Sequence, residues 1–203
     1  VIKSNVKIPD QVAIAVSGGP DSMAILDFLR RGPKEIQVLH FNHGTDHSFE
    51  AEEIVRDYCD RWKIDLKVGN LTEKVTKGSS LEEFWRKNRY NFFERSTKRP
   101  VITCHHLDDV VENWVFTSLN GNPMMIPSKR GKYIRPFLVT TKKDLLSWCD
   151  RKNVPYIIDP SNSDTSFMRN LIRHELIPVA LKVNPGLSKV IRKKVLNLPT
   201  IYQ

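Results

Sequence analysis

Four short apolar runs, each followed by a longer amphipathic stretch, constrain this chain more than any other feature. Val12–Val16, Ile36–His40, Leu66–Val68 and Val101–Cys104 have strand length. Behind them, Ser22–Arg30, Ser48–Trp62, Ser80–Thr97 and Asp108–Leu119 repeat apolar residues at helical spacing. The alternation predicts an α/β fold, a doubly wound and mostly parallel sheet of about five strands, because parallel neighbours need a crossover that a helix supplies. Ser80 followed by Glu83 predicts a capping box. Gly121–Pro136 lacks periodicity and is expected to be an irregular loop, a candidate lid. Thr141–Lys152 is another predicted helix, and Tyr156–Ile158 a short strand or extended run. A last helical region from Phe167 past Val190 is expected to break near Pro178 and at Asn184-Pro185-Gly186. The expected division is a main α/β domain over 1–165 and a short, basic helical extension over 166–203.

The sharpest local signal is Ser17-Gly18-Gly19-Pro20-Asp21-Ser22, directly after the first strand and directly before a helix. Two glycines let the backbone curl close to an anion, while amides and serine hydroxyls donate to phosphate oxygens and the helix N-terminus adds a favourable dipole. The turn is therefore a phosphate cradle. It is not a Walker A loop, since GxxxxGK[ST] is absent, and it lacks the GxGxxG of dinucleotide sites.

A second cluster, Cys104-His105-His106-Leu107-Asp108-Asp109, follows the fourth strand and should face the same crevice as the glycine turn. Its histidines and carboxylates suit magnesium on a triphosphate, with a histidine near the reacting phosphate or base, better than a transition-metal site whose further ligands would have to come from distant segments. The blander reading makes Asp108 a helix N-cap. Arg169 and Arg173 lie four apart on a predicted helix and share a face, where two guanidiniums can grip phosphate; the alternative is a solvated basic helix. Glu82 and Arg86 have the spacing of an ordinary ion pair, and Phe84, Trp85, Phe92 and Phe93 are expected in the core.

Charge narrows the partner. The net charge is +9, and residues 101–203 hold 15 basic against 8 acidic side chains. A basic half favours a polyanion such as RNA, with Arg130, Lys132, Arg135, Lys189, Arg192, Lys193 and Lys194 as candidate contacts. A solvated lysine-rich surface has the same composition. Three scattered cysteines without CxxC spacing argue against a disulfide framework or a thiolate metal site. No run approaches the roughly 20 apolar residues of a membrane span, and the first residues do not resemble a secretory signal. A cytoplasmic protein is expected.

The pattern SGGxDS resembles the PP-loop of ATP-pyrophosphatases, which holds the β,γ-pyrophosphate and leaves the α-phosphorus open to attack. Together with Phe41-Asn42-His43-Gly44, the third-helix residues Glu82, Arg86, Arg89 and Tyr90, His105–Asp109 with Glu112, Arg130-Gly131, Arg135–Leu138, Asp159–Asn162 and Arg169–Arg173, it is similar to the catalytic domain of the tRNA(Ile)-lysidine synthase family along nearly the whole chain. The resemblance implies ATP and Mg²⁺ as cofactors. It implies ATP binding by Ala15, Val16, Ser17, Gly18, Gly19, Pro20, Asp21, Ser22, His40, Phe41 and Asn42. Catalysis would fall to Asp21, His106, Asp108, Asp109, Arg169 and Arg173, with Asp21 and Asp109 on the magnesium. The implied reaction adenylates the wobble cytidine of a CAU-anticodon tRNA(Ile) before free lysine attacks. Larger family members carry further C-terminal domains; here either the basic 182–194 segment, or a second copy or partner chain, is expected to complete the tRNA surface. The alternatives are a tRNA sulfur transferase on the same fold and a non-catalytic RNA-binding subunit.

Overall fold

The structure is a computed structural model that describes residues 1–73 and 80–198, leaving the side chain of Glu82 outside the description together with its expected pairing to Arg86. The strands are β1 (Gln11–Ala15), β2 (Glu35–Asn42), β3 (Asp65–Asn70), β4 (Val101–Thr103), β5 (Lys129–Arg130) and β6 (Tyr133–Ile134). Among the described residues they form one sheet in the order β3-β2-β1-β4-β6-β5, parallel throughout except for β5. The helices are α1 (Pro20–Arg30), α2 (Asp46–Trp62), α3 (Leu81–Ser96), α4 (Leu107–Leu119), α5 (Lys142–Lys152), α6 (Met168–Leu171), α7 (Ile177–Val183) and α8 (Leu187–Leu196). The expected doubly wound α/β class is what the chain adopts.

Alternation along β1 sorts its side chains onto two faces, as a period of two requires. Val12, Ile14 and Val16 join Met23, Ile25, Leu26 and Leu29 of α1, Val55 and Tyr58 of α2 and Leu145 of α5 in one core. Ala13 turns the other way, onto Leu39, Val101 and Phe93 of α3. Burying a side chain such as Ile14 completely contributes roughly 1.5–3 kcal/mol. A third cluster joins Val110, Val111 and Val115 of α4 to Leu187, Ile191 and Val195 of α8, so the C-terminal helices pack on the helix that follows β4. Phe93 and half-buried Phe92 are core as expected, while Phe84 and Trp85 are half-buried. Among the described residues no helix is long and apolar enough to cross a membrane.

Four expectations need correction. The 121–136 segment is irregular only at first. It ends in a hairpin, β5-β6, turned by Gly131 at φ 60°, and β6 lies beside β4. Two-residue strands are too short to show periodicity. Tyr156–Ile158 joins no strand; instead Ile157 N–H donates to Gly18 O at 3.0 Å. Ser80 caps α3 without a side-chain hydrogen bond, whereas Thr45 and Ser48 form the reciprocal box at the start of α2. Pro178 does not break the helix. A π-turn, Ile172–Leu176, precedes it and closes with Ile177 N–H on Ile172 O, which makes room where a proline ring would meet the carbonyl four residues back. The expected break at Asn184–Gly186 is present.

The first helix is anchored by one buried carboxylate. Asp27, 1% exposed, accepts hydrogen bonds from Arg30, Arg31 at 2.8 Å, Tyr58 of α2 and Trp148 of α5 at 2.8 Å. Burial penalises the charge, yet the Arg31, Tyr58 and Trp148 donors outweigh it and hold the pKa below the usual carboxylate value. A depressed folded pKa stabilises above the unfolded value of about 4 and is lost as pH falls through the folded one. Asp27→Asn is expected to cost about 3–5 kcal/mol in urea unfolding at pH 7. Its stability should also fall less steeply than the parent's as pH drops below about 4.

Candidate active site

The glycine turn sits where strand order reverses. β1 has β2 on one side and β4 on the other, and Ala15 pairs with Thr103, so the segments leaving both strands start at one level of the sheet edge. That is the crevice in which open α/β sheets bind ligands.

Gly18 adopts φ 84° and is buried; a Cβ there would lie 2.9 Å from Ala51 Cβ of α2. Only glycine permits both the left-handed turn and the contact. Gly19 is the N-cap of α1 and Pro20 its first residue, a position where the missing N–H costs nothing. The serines brace the turn. Ser17 N–H donates to Ser22 Oγ at 3.1 Å, and Ser22 Oγ donates to Gly19 O at 3.0 Å. Nothing in α1 caps its N-terminus with a side chain, so its first amides point into the crevice.

Asp21, His106, Asp108 and Asp109 come together as the sequence implied. His106, 3% exposed, has Nε2 at 3.5 Å from both Asp21 Oδ2 and Asp109 Oδ2, and Nδ1 at 3.6 Å from Asp108 Oδ2. Burial opposes the charged ring, but Asp109, Asp108 and Asp21 overcome it and push the pKa up to about 10. The N-cap of α4 is His106 and not Asp108; the latter accepts Lys142 N–H at 2.8 Å, and Asp109 accepts His106 N–H at 2.9 Å. His105 differs: burial, with Arg135 and His106 as cationic neighbours, brings its pKa down to about 4 against the pull of Asp109. Asp21 Oδ1 is buried without a hydrogen-bond partner, an oxygen available to a cation or a donor.

Arg169 and Arg173 reach the same place from the C-terminal helices. Both close on Glu112 of α4, which is 2% exposed: Arg169 Nη1 at 3.3 Å and Arg173 Nη2 at 2.6 Å. Arg173 Nη2 is also 3.8 Å from Asp109 Oδ1. Glu112 thus fixes where both guanidiniums point, a role its place in the motif did not disclose. Lys142, at the start of α5, is a residue that sequence reasoning missed altogether. Its Nζ lies 3.5 Å from Asp21 Oδ2, and only the fold brings it there.

Other expected ligands are committed to structure. His40 Nδ1 bonds Val16 O at 2.9 Å, and Phe41 packs on His43 and Phe92. Asn42 donates to Glu52 at 2.7 Å and accepts from Gly44 N–H and Ser48 Oγ. Lys132 gives its ammonium to Phe93 O, Thr97 O and Glu94. Arg135 is buried, donating to Pro127 O, whereas Arg130, Lys189, Lys193 and Lys194 are exposed and Arg192 is half-buried.

The turn itself can be tested without ligand. Gly18→Ala should lower stability by about 2–4 kcal/mol, from overpacking on Ala51 and a disfavoured φ. Gly19→Ala, with φ −73° and no contact nearer than 3.5 Å, should unfold within about 1 kcal/mol of the parent. Equal thermal shifts for the two would contradict this account of the turn.

Residues 2–180 match the family model of the PP-loop domain. The chain is 31% identical over 202 residues to the tRNA(Ile)-lysidine synthase of Thermotoga sp. strain RQ2, covering 92% of this chain and 49% of that protein. It is 34% identical over 203 residues to the bifunctional protein TilS/HprT of Listeria innocua, covering 89% of this chain and 31% of that protein. The chain therefore spans about half the length of the first relative and less of the second. Among solved structures, the NH3-dependent NAD synthetase of Campylobacter jejuni shares the fold, with TM-score 0.51 and 15% identity over 97% of this chain and 91% of that one. The family match takes in the glycine turn, the His-Asp cluster and both arginines at once, and the chain belongs to the PP-loop domain family.

Proposed function

We propose that this chain is an ATP-dependent RNA-modifying ligase that adenylates the C2 oxygen of the wobble cytidine in a CAU-anticodon tRNA(Ile) and then admits free lysine, in the cytoplasm. The observation that carries the reading is a glycine turn at a helix N-terminus, with no lysine of its own, facing a carboxylate-histidine cluster across the β1–β4 crevice. Relatives called tRNA(Ile)-lysidine synthase at about this level of identity supply the RNA and the nucleophile.

In this reading the turn and the α1 amides hold the β,γ-phosphates, and Lys142, beside Asp21, adds the cation that a Walker loop would carry within its own sequence. The cytidine oxygen attacks the α-phosphorus, and the bond from that phosphorus to the bridging oxygen breaks, releasing pyrophosphate. Protonated His106, together with Arg169 and Arg173, stabilises charge on the α-phosphoryl group as it forms. Lysine nitrogen then attacks C2, the C2–oxygen bond breaks, AMP leaves, and the nitrogen loses a proton to solvent. The protein chiefly aligns reactants and balances charge.

Magnesium fits the donors. Asp21, with its unpartnered buried oxygen, and Asp109 would be its hard carboxylate ligands, one from each side of the crevice. An ion held there would take its remaining ligands from phosphates and water. When bound, the ion would neutralise the leaving pyrophosphate. The sulfur-transferase reading gains nothing from the cysteines: burial pushes the Cys59 and Cys149 thiols up to about 12, and that of Cys104 higher still. RNA would meet the exposed cations Arg130, Lys189, Lys193 and Lys194.

Incubation with ATP, Mg²⁺, radiolabelled lysine and a set of tRNA transcripts should label only the CAU-anticodon species and yield AMP and pyrophosphate. ADP and phosphate as products, or label on every transcript, would remove the assignment. Asp21→Ala should reduce pyrophosphate release by about 10²-fold or more while RNA retention on a filter stays within about twofold.

A further inference from the structure

A second concavity is lined by none of the glycine-turn residues. It is a cavity of about 680 Å³ between α3 and the β5-β6 hairpin, large enough for a nucleotide. Five cations line it, Arg86, Lys87, Arg130, Lys132 and Arg135, against Glu83 and Glu94. Glu94 is already paired with Lys132 at 2.8 Å, so most of the remaining charge facing the cavity is positive.

The decisive residue is Arg135. It follows β6, the strand beside β4, and is only 7% exposed. Its Nη1 donates to Pro127 O at 2.9 Å, but its Nε finds no partner. Burial, with Arg86 and Arg130 as like-charged neighbours, disfavours its charged form, and the Tyr90 phenol only partly offsets this. A desolvated guanidinium with an unsatisfied N–H, lining one cavity with two further guanidiniums, is costly by itself, and an anion seated among them would offset that cost. Arginine forks from three elements, α3 (Arg86), β5 (Arg130) and the end of β6 (Arg135), match the several oxygens of a phosphate better than the one carboxylate of a peptide side chain. Arg135 follows β6, the strand that pairs with β4, whose next segment carries the His-Asp cluster.

We propose that this cavity is a phosphate subsite that seats one phosphodiester of the RNA substrate, with Arg135 at its floor and Arg86 and Arg130 at its rim. The proposal rests on the reading of the substrate as RNA. It is separate from the ATP site, since the phosphates of ATP belong to the glycine turn.

Arg86 and Arg130 are exposed, so Arg86→Gln and Arg130→Gln should fold normally and carry the test; Arg135→Gln and Arg135→Lys supplement it. The measurement is binding of a labelled CAU-anticodon stem-loop RNA over a range of salt concentrations, alongside ATP binding without RNA. Each rim variant should weaken RNA binding about 5–10-fold and reduce the slope of log affinity against log salt by about one, with ATP affinity unchanged. Arg135→Gln should weaken it further, and Arg135→Lys should recover only part of the loss. Unchanged RNA affinity and salt slope in both rim variants would overturn the proposal. So would a selective loss of ATP affinity, which would assign the cavity to the nucleotide. Because the readout is RNA retention, failure to transfer lysine would refute the proposed reaction and leave this subsite standing, whereas an active ligase with unaltered slopes would refute the subsite alone.

Discussion

The parallel pairing of β1 with β4 governs the rest of the structure. Ala15 hydrogen-bonds across to the level of Thr103, so two segments nearly ninety residues apart leave the sheet side by side, one as a glycine turn and the other as a histidine-aspartate cluster. Strand order reverses at this seam, with β2 and β3 on one side and β6 and β5 on the other. Reversal of winding thus opens a crevice without any cavity having to be carved from the core.

Electrostatics then organises the crevice. Asp21, Asp108 and Asp109 hold a proton on His106; Lys142 balances Asp21, and Arg173 leans on both Asp109 and Glu112. The chain of alternating charges runs from α1 through α4 to the π-turn before α7. Its members come from α1 (Asp21), α4 and its cap (His106, Asp108, Asp109, Glu112), α5 (Lys142) and the π-turn (Arg173), and nearly every charge has an opposite neighbour. Glu112 is the deepest of them, and its burial is tolerable because two guanidiniums answer it.

Much of this was legible in the sequence, for identifiable reasons. Strands β1, β2 and β4 showed as apolar runs because most of their residues are buried, β3 showed through half-buried Leu66 and Val68, and the glycine turn showed because Gly18 needs a positive φ beneath α2. Arg169 and Arg173 showed as a pair because i,i+4 spacing survives entry into the π-turn. What stayed hidden was tertiary. Lys142 lies on a helix whose own sequence says nothing of Asp21, and Glu112 looks like any other glutamate until Arg169 and Arg173 fold onto it. The β5-β6 hairpin has strands too short to carry a pattern, so Lys132 reads as a free cation although local carbonyls claim it, and the burial of Arg135 was not visible. Asn42, assigned to nucleotide binding by resemblance, has both ends of its amide engaged in bracing the end of β2.

The bond from Ile157 N–H to Gly18 O has a temporal implication. It is a clasp supplied by a stretch that joins no strand, laid over the turn from far downstream in the chain. During synthesis the glycine turn emerges ahead of the residues that clasp it. Until residues 142 and 157 follow, it lacks the cation of Lys142 and the amide that will pin it. The anion grip is therefore a late product of folding: a nascent chain can have its first strands and helices in place and still be unable to hold a triphosphate.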